Sequence, residues 1–184
     1  MIQTMKLSVR HAQAFPAWLC LACLAILAGC TPSLDWRELN VEGSGVSALF
    51  PCRPENRVRQ VNLAGMAVQM HLASCTASGS NFALSHLDAG DPVKAGLALE
   101  QLQSLTAANM GGTPTVTGPC NVPGMTPSPL ARRLAVKGVR GDGAAIEAEA
   151  IYFSRGSFVY QATLVGSHVD KEAADTFFAS LKAE

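Results

Sequence analysis

An α+β domain is what the sequence predicts: a curved antiparallel sheet of about seven strands packed with two helices. Three observations carry this. Period-two segments fall into two blocks, each followed by a helical segment, so the order is strands, helix, long loop, strands, helix rather than alternating βαβ units. The segment 66–74 alternates cleanly, with Val68, Met70 and Leu72 on one face and Ala67, Gln69, His71 and Ala73 on the other, as a half-buried antiparallel strand does. Finally, Ala95, Ala98, Leu99, Leu102 and Leu105, and again Ala173, Ala174, Phe177, Phe178 and Leu181, recur at helical spacing.

Taken in order, a first strand over 35–41 and a second over 46–50 are joined by the turn-forming Glu42-Gly43-Ser44-Gly45. Pro51 and Pro54 stop the second strand, since neither can donate to a ladder. A hairpin of 57–63 and 66–74 turns at Ala64-Gly65, and 77–80 turns into a strand over 81–87 with Phe82 and Leu84 in phase. Asp91-Pro92 opens a helix, Asp as N-cap and Pro at the first helical position. Gly111-Gly112 stops it after Met110.

The stretch 111–130 holds five prolines and four glycines and reads as a loop. A loop of that length is either a binding loop or lid, or a proline-stiffened crossing over one edge of the sheet. Cys120, Asn121, Met125 and Arg132 are its candidate binding residues. Strands over 131–139, 144–153 and 157–165 follow, the first two joined by Arg140-Gly141-Asp142-Gly143. Ser167, with Asp170 three residues on, is the expected cap of the last helix.

Ala48-Leu49-Phe50-Pro51, the hairpin behind it, the long helix after Asp91-Pro92 and the closing Phe177-Phe178-Ala179-Ser180-Leu181 together resemble the PsbP-like α/β/α sandwich over most of 36–183. The resemblance implies that fold. It also implies a bias toward binding or assembly roles, since members include extrinsic photosystem subunits and bacterial envelope lipoproteins.

Ahead of the domain, Lys6 and Arg10 precede an apolar run over 14–28, short for the ~30 Å of a bilayer core. It ends in Leu27-Ala28-Gly29-Cys30, which resembles the lipobox of bacterial lipoproteins. The resemblance implies a signal peptide over 1–29, removed on export, and lipid on Cys30 as the first mature residue. Thr31, where Asp would favour inner-membrane retention, implies the periplasm-facing side of the outer membrane. Residues 30–35 are then a tether and 36–184 a single domain. At no more than ~3.5 Å per residue the tether holds the domain within ~20 Å of the bilayer. The expected partners are the membrane, through Cys30, and an envelope protein.

The chain of 184 residues carries 14 basic and 14 acidic side chains; without Lys6 and Arg10 the balance is 12 to 14. A surface so nearly neutral has no field to recruit nucleic acid, and none is expected as a partner.

Cys20 and Cys23 lie in the leader and Cys30 is assigned to lipid, leaving Cys52, Cys75 and Cys120 in an oxidising compartment. Cys52–Cys75 is the expected pair because both end ordered segments, and it closes a loop worth about 3 kcal/mol. Alternation puts Cys52 in phase with Phe50 but Cys75 out of phase with Met70 and Leu72, so a bend near Pro51 or Ser74 is expected to bring them together. Cys120 is left as a free thiol.

The chemistry-bearing residues do not assemble a recognisable catalytic set, and neither a metal nor a cofactor is expected. No G-x-S-x-G elbow is present. His71 and His86 are an expected cross-strand pair on polar faces, and Met66 and Met70, which would suit copper, fall on the face opposite His71. Glu147 and Glu149 share one strand face at a Cα separation of about 6.5 Å, compatible with a glycosidase dyad but expected to be a solvated strip. Cys120 with His168 is the other conceivable pair, as nucleophile and base. Of Arg132 and Arg133, adjacent on a strand, at most one can face a neighbouring acid. The expectation is a non-catalytic envelope protein.

Overall fold

The structure, a computed structural model, describes residues 34–184; the leader, Cys30 and the start of the tether lie outside the described residues. Among the described residues, ten strands and two helices follow one another: β1 (Arg37–Val41), β2 (Val46–Phe50), β3 (Glu55–Leu63), β4 (Met66–Ala77), β5 (Ser80–Asp88), α1 (Pro92–Met110), β6 (Pro114–Pro119), β7 (Arg132–Val139), β8 (Ala145–Arg155), β9 (Phe158–Gly166), α2 (Lys171–Ala179) and β10 (Lys182–Ala183). The fold is α+β as expected. Its main sheet has seven strands in the order β3-β4-β5-β9-β8-β7-β6, every neighbouring pair antiparallel.

The main sheet and two helices match the expected sheet of about seven strands packed with two helices, but not every expected strand belongs to it. Instead β1 and β2 separate with β10 into a second, three-stranded sheet in the order β1-β2-β10. The separation follows from pattern and connection. Val46, Ala48 and Phe50 bury one face of β2 against the main sheet, and the prolines at 51 and 54 break the chain between β2 and β3. β10 is only two residues long, too short to leave a periodic signal.

The main sheet is covered on both faces. On one side Leu87, Leu134, Ala150, Tyr152 and Val159 pack under Ala95, Ala98, Leu99 and Leu102 of α1. On the other, Phe82, Leu84, Ile151, Phe153, Tyr160 and Leu164 meet Phe50 of the small sheet and Ala174, Phe177 and Leu181 at α2. Hence 150–154 of β8 is buried without a break, unlike the half-polar pattern of β3 and β4.

The turns and caps follow local chemistry. Ala64-Gly65 has φ of 49° and 74°, the conformation that matches hairpin twist. Asp91 caps α1, its Oδ1 accepting from the N–H of Val93 at 2.8 Å and of Lys94 at 3.2 Å, and Gly111 ends it at φ 62°. The cap of α2 is Asp170, whose Oδ1 accepts from Ala173 N at 2.9 Å. Ser167 lies too far ahead of the first turn, in the link out of β9.

The supposed 20-residue loop is two things. Residues 114–119 pair with β7 as the edge strand β6, where prolines at both ends are tolerated and blunt the edge. The remainder is a fastened crossing. Thr126 N donates to Ser154 O at 2.7 Å, Ala183 N donates to Pro123 O at 2.8 Å, Cys120 and Val122 enter the core beside α2, and Leu130 packs on the α1 side. Gly124 is required there, since a Cβ would overlap the carbonyl oxygen of Ala183.

Candidate functional site

Cys52 and Cys75 form a disulfide with a Cα–Cα distance of 5.9 Å. No bulge is needed to unite them. Cys52 continues the inward face of the small sheet, and Cys75 shares with Ala73 the face of β4 that looks toward that sheet. The bond therefore joins two layers, and the expected bend is found at Pro51-Cys52, where the chain leaves the small sheet for the large one.

Two adjoining hollows of about 310 and 300 Å³ lie along β7 beside α2, with Arg133 lining both. Alternation sends Arg133 to the α2 side, where its Nε meets Glu149 Oε1 at 2.6 Å and its Nη2 meets Asp175 Oδ1 at 2.7 Å. The guanidinium carbon sits 5.0 Å from the centroid of the Phe178 ring, a cation–π contact. Arg132 points the other way and donates from Nε to Pro129 O at 3.2 Å. One of the two arginines faces acids, within the limit of one that strand geometry set.

Glu147 organises the other end of the groove. It accepts from Lys137 at 2.8 Å, from the backbone N–H of Val169 at 3.0 Å and lies 3.1 Å from His168 Nδ1. The Lys137 hydrogen bond, then that of Val169, hold its carboxyl well below the ordinary range, at about 2. Asp175 is likewise lowered, by hydrogen bonds from Lys171 and from Arg133. Glu149 accepts from Thr117 Oγ1 at 3.3 Å in addition to Arg133. Glu147 and Glu149 do share a face; Glu149 holds Arg133 and Thr117 on its Oε1, and Glu147 has its carboxyl lowered by the donors around it. A glycosidase acid needs a carboxyl whose pKa is raised, the opposite of what surrounds Glu147.

Among the candidate loop residues, Cys120 and Asn121 line the second hollow with Asp175 and Phe178. Cys120 is a buried free thiol that burial pushes up to about 11, far from the thiolate a nucleophile requires. Met125 is half-buried, its Sδ accepting from Val122 N at 3.3 Å, and Arg132 lies on the other face of the strand. The four candidates are thus not one surface. His168 is exposed and bound to Glu147, and it lines neither hollow.

His71 and His86 are directly opposed across β4 and β5, with rings stacked 4.9 Å apart. His86, expected on a polar face, is instead 4% exposed beneath the β1–β2 turn and neutral, burial and then His71 lowering its pKa to about 4. Its phase with Phe82 and Leu84 was the available signal. Met66 and Met70 lie on the α1 side, away from the pair. Among the described residues no three His, Cys, Asp or Glu side chains are grouped to hold a metal, and no helix is long and apolar enough to cross a membrane. Compared with protein-family models and with curated proteins, the chain matches none.

Proposed function

We propose that this chain is a lipid-anchored protein of the bacterial envelope whose α+β domain is a non-catalytic binding or scaffolding module. In this reading residues 1–29 are the signal peptide and Cys30 carries lipid in the periplasm-facing leaflet of the outer membrane. The observation that carries it is the Cys52–Cys75 disulfide, because a structural disulfide implies an oxidising compartment. The lipobox-like Leu27–Cys30 stretch and the resemblance to the PsbP-like sandwich lend it support.

The groove along β7 is the docking surface in this proposal. Its charges are paired into a fixed pattern, which suits recognition by complementary charge better than proton transfer. Lys137 and Lys171, both mostly exposed beside anchored acids, would meet an acidic group on a protein partner near the membrane. The test is capture of partners from crosslinked envelopes with wild type and with Lys137→Glu/Lys171→Glu. A consistent protein lost in the double variant is the expected result. Recovery of only bulk lipoproteins, unchanged by the variant, would overturn the proposal.

A further inference from the structure

β3 is one edge of the main sheet, and among the described residues no strand pairs with its outer side. The other edge, β6, is closed by Pro114, Pro119 and a register shift between Val116 and Gly118. β3 has none of these devices. Its nine residues hold no proline and pair with β4 in unbroken register. The two-residue turn Ala64-Gly65 closes on Leu63 and Met66 as a hydrogen-bonded pair, and such pairs recur at every second residue down to Glu55. The backbone N–H and C=O groups of Asn56, Val58, Gln60 and Asn62 therefore point toward the open side, where another strand can take them.

The two faces of this edge favour different side chains. On the α1 side stand Arg57 and Arg59, opposite Leu72 and Met70. Arg57 is paired with Glu55, both well exposed, and Arg59 has no ion-pair partner among the described residues. On the small-sheet side Val58, 55% exposed, is the outermost rung of a row that continues through His71, His86, Tyr160 and Phe153 on β4, β5, β9 and β8. Successive rings of that row stack at 4.9, 6.4 and 4.7 Å. Glu42 of the β1–β2 turn also lies on this side, accepting from Asn56 Nδ2 at 3.5 Å, and would repel an acid there.

We propose that β3 takes up an extended segment of a partner protein as an eighth, antiparallel strand of the main sheet, and that the segment carries an apolar residue between two acidic ones. The apolar residue lies opposite Val58 and extends the row. The acids on either side of it lie opposite Arg59 and Arg57, on the α1 side. The same charges turn away a second copy. Centred on Arg57, Val58 or Arg59, a two-fold pairing of β3 with itself sets arginine against arginine. This edge is at the far end of the sheet from the groove along β7 and is a surface additional to it.

The test is titration of the purified chain with the peptide Thr-Thr-Glu-Val-Glu-Thr-Thr and with its counterpart Thr-Thr-Lys-Val-Lys-Thr-Thr, read from the NMR amide shifts of β3. The Glu peptide should bind about tenfold more tightly, and Arg57→Glu/Arg59→Glu should reverse the order. Methylating the backbone nitrogen of the central Val removes the donor aimed at Val58 and should abolish binding. Methylating the nitrogen of either Glu, which faces away from β3, should not. The methylation arm alters the peptide alone, so it holds even if the double variant fails to fold. No shift at millimolar peptide, equal binding of the two peptides, or binding indifferent to the central methyl group would overturn strand addition. So would a chain that is dimeric through β3 and takes up neither peptide. The purified chain needs no anchor for this test, so its failure leaves the function proposed above untouched.

Discussion

His86 and Glu147 make opposite electrostatic demands on the fold, and both give pH signatures. His86 is buried neutral with its pKa lowered from 6.5 to about 4. The unfolded chain binds its proton more readily, so stability is complete above pH 6.5 and falls as pH drops through that value toward 4. Replacing His86 by Phe should flatten thermal stability across this window, as measured by calorimetry at a series of pH values. Glu147 acts lower. Its carboxyl titrates at about 2 in the fold against an ordinary 4.5, so its contribution is present above 4.5 and is lost as pH falls toward 2. Glu147→Gln should remove that acid-range slope while lowering stability at neutral pH, because Lys137 loses its anionic partner and only one acceptor oxygen remains for Val169 N, Lys137 and His168. Cys120 offers a third check at this scale. Its burial predicts no alkylation by iodoacetamide in the native state and prompt reaction in denaturant.

Elements were most legible where local chemistry and periodicity agreed. Asp91-Pro92 and Gly111 marked both ends of α1, and removing the cap by Asp91→Ala should cost about 1 kcal/mol in denaturant unfolding. Ala64 holds a left-handed conformation that suits Asn better, so Ala64→Asn should stabilise by roughly 0.5–1 kcal/mol. The misreadings share a cause. β6 is an edge strand whose Thr115-Val116-Thr117 core is framed by prolines, and its pairing with β7 spans residues no local signal connects. The cap of α2 depended on where the link out of β9 ends. That link is pinned by Glu147, 22 residues before Val169, which sequence spacing does not show. Gly138 is another such tertiary demand. It lets β7 pass beneath the end of α1, where a Cβ would overlap the carbonyl oxygen of Met110.

At the scale of the molecule, one architecture explains both what the sequence showed and what it concealed. Its strand and helix blocks revealed the α+β class. Nothing in them distinguished one sheet from two facing sheets, because alternation reports which residues share a face and not what that face meets. The Cys52–Cys75 pairing was legible, and the reason for it was not: the bond links the small sheet to the large one. Severing it with Cys52→Ser should cost about 3 kcal/mol on the chain-entropy account. The groove was legible in part. The shared face of Glu147 and Glu149 was legible from strand geometry, whereas their meeting with Arg133 was not, and Asp175 and Phe178 reach Arg133 from α2, more than 40 residues along the chain.

The central claim, a lipid-anchored domain in an oxidising envelope, is tested most directly by intact-mass and peptide mass spectrometry of the protein isolated from membranes. The account predicts a chain beginning at Cys30 with lipid on that residue, Cys52 linked to Cys75, and Cys120 free. A chain that retains residues 1–29, carries Cys30 unmodified, or has Cys52 and Cys75 reduced would contradict it.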